Sequence, residues 1–338
     1  METLQANPYL SIAIPTYNRA GFLDYSLEVH VPLARKHNVA IFISDNASTD
    51  NTKEIVEKWQ REYSLIIYYH NKTTIDVDEN FERAVKYPDT KYVWLLGDTY
   101  QIPSGGIDYL LGIAKAEKNY CAIVFNIVDF IKGSEIGTRE YADQNMLLAD
   151  LGPLMTCLSS LVFSRELIKD ADFSRYRDSS FIHSGVIFEF IASRAFTIHW
   201  VQSLSVMGLP HPSLKKISWY RKPGVFEVAC KRWSNFVFSL PVSYNVETKL
   251  NCILDFGKIS GIFTYKGLFN LRRLNLLNYK SYRKYSLYFP LTIDYPKVAV
   301  FIISITPRLM IKVVGIVAIL ITEKDKLEKI KRTMRDEA

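Results

Sequence analysis

The sequence of 338 residues contains only four cysteines, and no two of them form a CxxC pair or join a Cys/His cluster of metal-binding spacing. A disulfide framework and a structural zinc site are therefore not indicated. Three of the four have apolar neighbours, which favours reduced core residues in a cytosolic protein. The four are Cys121, Cys157, Cys230 and Cys252.

Two further patterns are absent. The N-terminal stretch METLQANPYLSIAIPTYNRA has no basic region followed by a long apolar run, so we expect no signal peptide and a cytoplasmic location. Neither GxGxxG nor GxxxxGK[ST] occurs, which argues against a dinucleotide-binding site and a P-loop.

The charges that are present are divided unevenly along the chain. With 48% hydrophobic residues the chain can bury a large core, and one domain plus an appendage, or two domains, is expected. Residues 1–205 hold 19 Lys and Arg against 26 Asp and Glu, whereas residues 206–338 hold 23 against 9. The net charges of −7 and +14 predict that the second part faces an anionic partner, either nucleic acid or a membrane surface.

The first hundred residues alternate between apolar strands and segments of helical periodicity. The predicted strands are residues 10–14, 40–44, 65–69 and 92–96, and helical segments follow the first three. In the second helical segment, Asn51 and Glu54 have the spacing of a capping box. Strands alternating with helices predict a mostly parallel sheet with helices on both faces, and such a sheet binds ligands at the carboxyl ends of its strands.

Polar loops follow these strands and carry the candidate chemistry. Asp45 and Asp98 each end an apolar strand, and Tyr17 offers a ring for stacking a base. Taken singly, each acid could simply cap a helix or end a strand. Their order on successive strand ends favours a nucleoside diphosphate site, in which a carboxylate such as Asp98 would hold a divalent cation against the pyrophosphate.

These segments resemble one known family, the inverting family 2 glycosyltransferases with the GT-A nucleotide-binding fold. SIAIPTYNR is similar to the family's first strand and loop, FISDNASTDNT to its second, and YYHNKTTIDVDENFERAV to its Asn-rich third segment. YVWLLGDTY falls where the family carries its metal-binding Asp-x-Asp motif. The resemblance is specific over residues 9–110 and weak up to about residue 205. It is closest to transferases of bacterial O-antigen and capsule, including the abequosyltransferase-like branch.

The resemblance implies roles for individual residues. Pro15 and Tyr17 match the loop that contacts the nucleoside, and Asp45 matches the acid that binds the base. The matching positions on the ribose and phosphate side are Asn71, Lys72 and Asn80.

Asp98 matches the first acid of the Asp-x-Asp motif, which implies Mg²⁺ or Mn²⁺ as cofactor with Asp98 as a ligand. The sequence departs from the family pattern at the second acid, where Tyr100 stands. A phenol stays protonated at neutral pH and does not replace a carboxylate ligand, so we expect weakened metal binding.

The catalytic base is expected in FSRYRDSSFIHSGVIFEFIASRAF, where helical periodicity begins at Phe181. An inverting transfer needs a base for the acceptor hydroxyl, and the family takes it from the start of a helix beyond the metal motif. Asp178 is the preferred base, although it could instead be a helix N-terminal charge. His183 could be the base, orient the base or bind donor phosphate. The weaker alternatives are Asp76, Asp78, Glu79 and Glu189.

The second part of the chain is aromatic and basic and contains the apolar run VAVFIISITPRLMIKVVGIVAILI, residues 298–321. Arg308 and Lys312 interrupt this run, which favours a segment lying in the membrane interface, bent at Pro307, over a spanning helix. The basic residues behind it would attract anionic lipid. The alternative is a set of helices packed on the catalytic domain, and no nucleic-acid motif is recognisable.

The sequence thus predicts a GT-A domain over residues 1–205, with a nucleotide-binding half (1–110) and an acceptor half (111–205), followed by a mainly helical membrane-association region (206–338). The predicted function is transfer of a sugar from a nucleotide-sugar, with UDP favoured, to a lipid-linked or growing surface glycan at the inner face of the cell membrane. Whether the protein forms a homo-oligomer is left open by the sequence. The alternative is an impaired transferase that serves as a scaffold or nucleotide-sugar-binding partner. A nucleotidyltransferase is disfavoured, because PTYNRAG is not the Gly-rich, basic phosphate loop that such an enzyme needs.

Overall fold

The computed structural model describes residues 4–116, 118–128, 136–215 and 219–311. The strands within these ranges are β1 (Leu10–Thr16), β2 (Ala40–Asp45), β3 (Ile66–His70), β4 (Tyr92–Leu95), β5 (Tyr100–Gln101), β6 (Ala122–Ile127), β7 (Arg139–Tyr141), β8 (Leu161–Ser164) and β9 (Ile198–Gly208). The helices are α1 (Ala20–Arg35), α2 (Thr52–Glu62), α3 (Val77–Lys86), α4 (Gly106–Lys115), α5 (Gln144–Leu151), α6 (Arg165–Asp170), α7 (Ile182–Ile191), α8 (Trp233–Ser239), α9 (Val246–Ile259), α10 (Tyr265–Arg273), α11 (Tyr279–Tyr285), α12 (Phe289–Thr292) and α13 (Lys297–Ile305).

These strands form a mixed sheet in the order β3-β2-β1-β4-β8-β6-β9-β5, and β7 also pairs with β9. The four strands predicted from the sequence are confirmed to within two residues, and β3, β2, β1 and β4 are parallel as expected. β8 then runs antiparallel to both β4 and β6, while β6 and β9 are parallel. The parallel part places the ends of β1, β2 and β4 at one edge of the sheet.

The central strands β1 and β4 are buried along their whole length, which explains why they are mostly apolar. Ile12 and Ile14 of β1 belong to one core, whereas Ala13 between them belongs to the other. Trp233 of α8 and Phe289 of α12 are part of the same core as Ala13. The helices after β9 therefore share a core with the sheet.

The predicted capping box at the start of α2 is wrong. Asn51 is the N-cap residue, but its side chain makes no capping hydrogen bond. Asp50 takes this role instead: its Oδ1 accepts from Thr52 N at 3.2 Å, and its Oδ2 accepts from Ala20 N at 3.0 Å. One carboxylate thus caps α2 and also binds the first backbone N–H of α1. The second contact joins residues 30 positions apart, so local spacing along the chain does not predict it.

The apolar run at residues 298–321 lies partly outside the described residues. Its first part forms α13, which ends at Ile305, and a new helical turn begins after Pro307. No helix in the described ranges combines the length and apolar character needed to cross a membrane.

Candidate active site

A cavity of ≈ 560 Å³ lies where the parallel strands end. Pro15 at the end of β1 and Tyr17 and Arg19 in the following loop line it on one side. Asp98 in the loop after β4 and Tyr100 at the start of β5 line it on the other. This is the edge of the sheet at which an α/β fold binds ligands. A more open groove of ≈ 550 Å³ lies elsewhere, beside α4 and the start of β9.

Asp98 and Arg19 form an ion pair in this cavity. Arg19 Nε lies 2.7 Å from Asp98 Oδ2, and the guanidinium also lies 4.5 Å from the centre of the Phe22 ring. Asp98 is 7% exposed, so its carboxylate is largely shielded from water, whereas the Arg19 side chain is 36% exposed. The loop after β4 thus presents its acid to a cation at the end of the loop after β1.

The loops after β1 and β2 are tied together by short polar side chains. Asn18 has a φ of +50°, a left-handed conformation that asparagine tolerates better than most residues. Its backbone N–H donates to Ser48 Oγ at 2.8 Å, and its side-chain oxygen accepts from Thr49 N at 2.7 Å. These bonds give Asn18, Ser48 and Thr49 a structural role and fix the loop that carries Tyr17 and Arg19.

Asp45 lies at the end of β2 but does not line the cavity. Its Oδ1 accepts from Ser48 N at 2.9 Å, and its Oδ2 accepts from Tyr68 Oη at 2.6 Å and lies 3.1 Å from His70 Nδ1. Burial, followed by the bond to Asp45, raises the pKa of Tyr68, so the phenol keeps its proton as a donor. The carboxylate organises the rim of the site in this structure.

The predicted asparagines form a polar network beside the cavity. Asn80 lines it and donates from Nδ2 to Ser44 O at 3.1 Å. Asn71 lies behind and donates to Asn80 Oδ1 at 3.2 Å. Asn46 lines the cavity and exchanges two hydrogen bonds with the backbone of Ile75, at 2.8 and 2.9 Å. This network fixes the segment before α3 that forms one wall.

Lys72, by contrast, is exposed and lies outside the cavity lining. The structure therefore brings together Pro15, Tyr17, Asn80 and Asp98 of the predicted donor-binding residues. Asp45 and Asn71 support this site from behind.

The side chains at the cavity do not fit a divalent cation held by protein ligands. Within the described ranges Asp98 is the one carboxylate in the lining, and Arg19 is paired with it. The neighbouring Cys157, and then burial, raise the pKa of Tyr100, so its phenol stays protonated. The described part of the chain contains no group of three His, Cys, Asp or Glu residues that could hold a metal ion. The Mg²⁺ or Mn²⁺ site at Asp98 remains a sequence-based prediction.

Neither predicted catalytic residue lines the cavity. His183 is buried behind it: Nε2 donates to Thr156 O at 3.0 Å, and burial lowers the pKa of His183 to about 4. A neutral ring in this position holds Thr156, which does line the cavity, and is poorly placed to take a proton from a substrate. Asp178 is exposed and has a φ of +60°. Its role as the base remains a prediction.

Several of the alternative acids have structural partners. Asp76 Oδ1 caps α3 by accepting from Asp78 N at 2.8 Å. Asp78 accepts from Ser180 N at 3.0 Å and anchors the segment before α7, and burial raises the pKa of Asp78 to about 6. Glu189 accepts from Tyr176 Oη at 2.7 Å. These contacts favour roles in positioning the segment that carries Asp178.

Three of the lining residues that were not predicted from the sequence bear on the chemistry of the site. Arg19 lay within PTYNRAG, but a loop arginine alone gives no signal for a buried partner. Cys157 is half-buried in the cavity wall, which corrects its assignment to the core, whereas the other three cysteines are buried and free. Trp219 comes from the basic second part of the chain. The many aromatic residues of that part were the sequence feature that could have indicated a contribution to the site. The region after β9 therefore contributes to the site.

Together the fold and the cavity define an α/β domain of the GT-A-like type with an open site at the strand ends. The chain is similar to a crystal structure of S. aureus TarS 1–349 in complex with UDP-GlcNAc, with a TM-score of 0.55, 14% identity and coverage of 87% of each chain. This likeness concerns the fold.

Sequence comparison identifies the family. Residues 11–171 match the model of Glycosyl transferase family 2, so the chain carries a domain of that family, as the resemblance implied. The chain is 38% identical to the abequosyltransferase RfbV of Salmonella typhimurium over 91 residues, 26% of this chain and 27% of that protein. It is 26% identical to the GalNAc(5)-diNAcBac-PP-undecaprenol beta-1,3-glucosyltransferase of Campylobacter jejuni over 120 residues, 35% of this chain and 38% of that one. The matches thus span about a quarter to two fifths of these relatives.

Proposed function

We propose that this protein is an active glycosyltransferase that moves one sugar from a nucleotide-sugar donor to a surface glycan with inversion at the anomeric carbon. The observation that carries the proposal is the cavity at the ends of β1, β2 and β4, inside a family 2 domain, with the Arg19–Asp98 pair in its lining. Tyr17 would contact the nucleoside beside the rim that Asp45 organises, and Asp98 would lie at the diphosphate.

In the proposed reaction the acceptor hydroxyl attacks the anomeric carbon from the face opposite the leaving group. The bond from that carbon to the diphosphate oxygen breaks, and the nucleoside diphosphate leaves with the bonding electrons. A base takes the hydroxyl proton. Asp178 is the proposed base, and its segment is tied to α3 by the 2.8 Å pair between Arg177 and Glu82. Because Asp178 does not line the cavity, this role requires the segment to move toward a bound acceptor.

The proposed acceptor is a lipid-linked glycan of the O-antigen or capsule type. The name of the Campylobacter relative, which includes an undecaprenol-linked glycan, supports this choice, as does the abequosyltransferase relative. UDP is the favoured nucleotide because a neighbour of the same fold binds UDP-GlcNAc.

A donor screen tests the proposal. Purified protein is incubated with UDP-, CDP-, GDP- and dTDP-sugars, with and without Mg²⁺ or Mn²⁺, and released nucleotide is measured. We expect slow hydrolysis of one donor class and faster release when a lipid-linked acceptor is added. The absence of both release and nucleotide binding would contradict the proposal. Nucleotide binding without any release would favour the alternative of an impaired transferase that serves as a scaffold. The replacement of the second acid by Tyr100 supports that alternative.

We further propose a peripheral position on the inner face of the cell membrane, attached through α13. Ser304 is buried, and Arg308 donates to Arg273 O at 3.2 Å, so the polar side of this segment faces the protein. A stripe of apolar side chains is left exposed: Val298, Ile302, Ile305, Leu309 and Met310. The neighbouring α11, which packs on α13, carries three exposed basic residues, Lys280, Arg283 and Lys284. An apolar stripe beside basic residues suits an anionic lipid surface.

The double substitution Ile302→Glu and Leu309→Glu tests this position. We expect it to lower binding to phosphatidylglycerol-containing vesicles at least about tenfold, because two apolar side chains lose their place in the interface and two negative charges repel the lipid. Co-sedimentation measures the binding, and pure phosphatidylcholine vesicles test the charge requirement. Val242→Glu is the matched control, since Val242 is fully exposed outside the stripe. Equal sedimentation of all three proteins would contradict the proposal.

A further inference from the structure

Arg19 is held at the cavity by contacts on two sides. It is the last residue before α1, and its planar group lies between the Asp98 carboxylate and the Phe22 ring. The Arg19 side chain is 36% exposed, whereas that of Asp98 is 9% exposed. The guanidinium is therefore positioned beforehand, and it remains accessible from the cavity.

Its hydrogen-bonding capacity is not used up by these contacts. Nε and Nη2 are buried and have no directed acceptor among the described residues, even though Nε lies close to Asp98. A guanidinium has five N–H donors in a planar fork that matches the oxygens of a phosphate. Nε is held by the Asp98 carboxylate, and a phosphate in the cavity would meet the exposed part of this fork, since the Arg19 side chain as a whole is 36% exposed.

Other cationic groups are poorly placed to bind an anion here. Arg19 is the one Lys or Arg that lines the cavity within the described residues. Lys72 lies outside it, and the first amide of α1, Ala20 N, already donates to Asp50. Among the residues that the structure describes, an anion in the cavity therefore meets one positive side chain.

We infer that the Arg19 guanidinium, positioned by Asp98, binds the diphosphate of the donor and neutralises charge that a metal ion would otherwise neutralise. This inference rests on the proposed function. It explains why the chain has one acid where an Asp-x-Asp motif has two: Asp98 orients a cation that belongs to the protein. Diphosphate binding should then persist without a divalent ion.

Calorimetric titration tests the inference without using turnover. Wild-type protein is titrated with UDP, CDP, GDP and dTDP, once in EDTA and once in Mg²⁺. The nucleoside of the diphosphate that binds is titrated in the same way. We expect the diphosphate affinity to change by less than about threefold between the two conditions. In Arg19→Gln we expect the diphosphate affinity to fall about 10- to 100-fold, the loss typical of a charge-assisted hydrogen bond, with nucleoside affinity unchanged. Arg19→Lys, which keeps the charge without the fork, should lose less.

Arg35→Gln is the matched control, because Arg35 lies exposed at the opposite end of the same helix. It should bind like the wild type. Diphosphate binding that vanishes in EDTA and returns with Mg²⁺ would overturn the inference, and this comparison needs no variant to fold. An Arg19→Gln affinity within about twofold of wild type would also overturn it. No binding of any diphosphate under either condition would overturn the proposed function, and the role of Arg19 with it.

Discussion

Asp98→Asn is expected to lower kcat/KM for the donor at least about 100-fold, the scale on which single charged or hydrogen-bonding groups at a reacting centre act. The asparagine keeps the shape of the side chain but removes the charge that lies 2.7 Å from Arg19 Nε. The guanidinium would lose its ion-pair partner and its fixed orientation toward the leaving group. Steady-state release of nucleotide from the donor found in the screen measures the effect.

Asp108→Asn is the matched control for this substitution. Asp108 is also paired with a cation, Lys36 at 3.2 Å, but it is half-exposed and lies outside the cavity at the strand ends. We expect its kcat/KM to stay within about twofold of wild type, because exposed ion pairs contribute little. Activity of Asp98→Asn within about threefold of wild type would show that the Arg19–Asp98 pair does not serve the reaction.

Asp45→Ala is expected to destabilise the fold by about 2–4 kcal/mol and to weaken nucleotide binding. The buried carboxylate accepts from Ser48 N and Tyr68 Oη and contacts His70, so its removal leaves several polar groups without their partner. The free energy of unfolding from urea titration measures the first effect, and the Kd of the nucleoside diphosphate measures the second.

Tyr68→Phe separates the contributions of this network. It removes one hydrogen bond to Asp45 and leaves the one from Ser48 N, so a loss of about 1 kcal/mol is expected. If Asp45→Ala unfolds at the same urea concentration as wild type, then the network does not support the rim of the site in the way described.

The sequence predicts the first four strands and the cavity at their ends because this information is local. Apolar runs rich in β-branched residues form strands, and a parallel arrangement brings the loops that follow β1, β2 and β4 together. Pro15, Tyr17, Asn80 and Asp98 reach the cavity for this reason. The family resemblance adds the chemistry of the site but does not supply these contacts.

What the sequence does not predict depends on partners that are distant along the chain. Arg19 follows β1 and pairs with Asp98, which follows the neighbouring strand β4. Asp50 caps α2 and also accepts a hydrogen bond from Ala20 N. Asp178 stands before a helix that is correctly predicted from Phe181 onward, but the direction of that loop is set by contacts such as Ser180 N with Asp78. Periodicity locates the helix and does not determine which way its first residues face.

A crystal structure of the protein with the nucleoside diphosphate that binds in the titrations tests the central claim most directly. We expect the base beside Tyr17, close to the rim organised by Asp45, and the diphosphate against the Arg19 guanidinium that Asp98 holds. A nucleotide bound instead in the groove beside α4 and the start of β9, with the cavity at the strand ends empty, would contradict it.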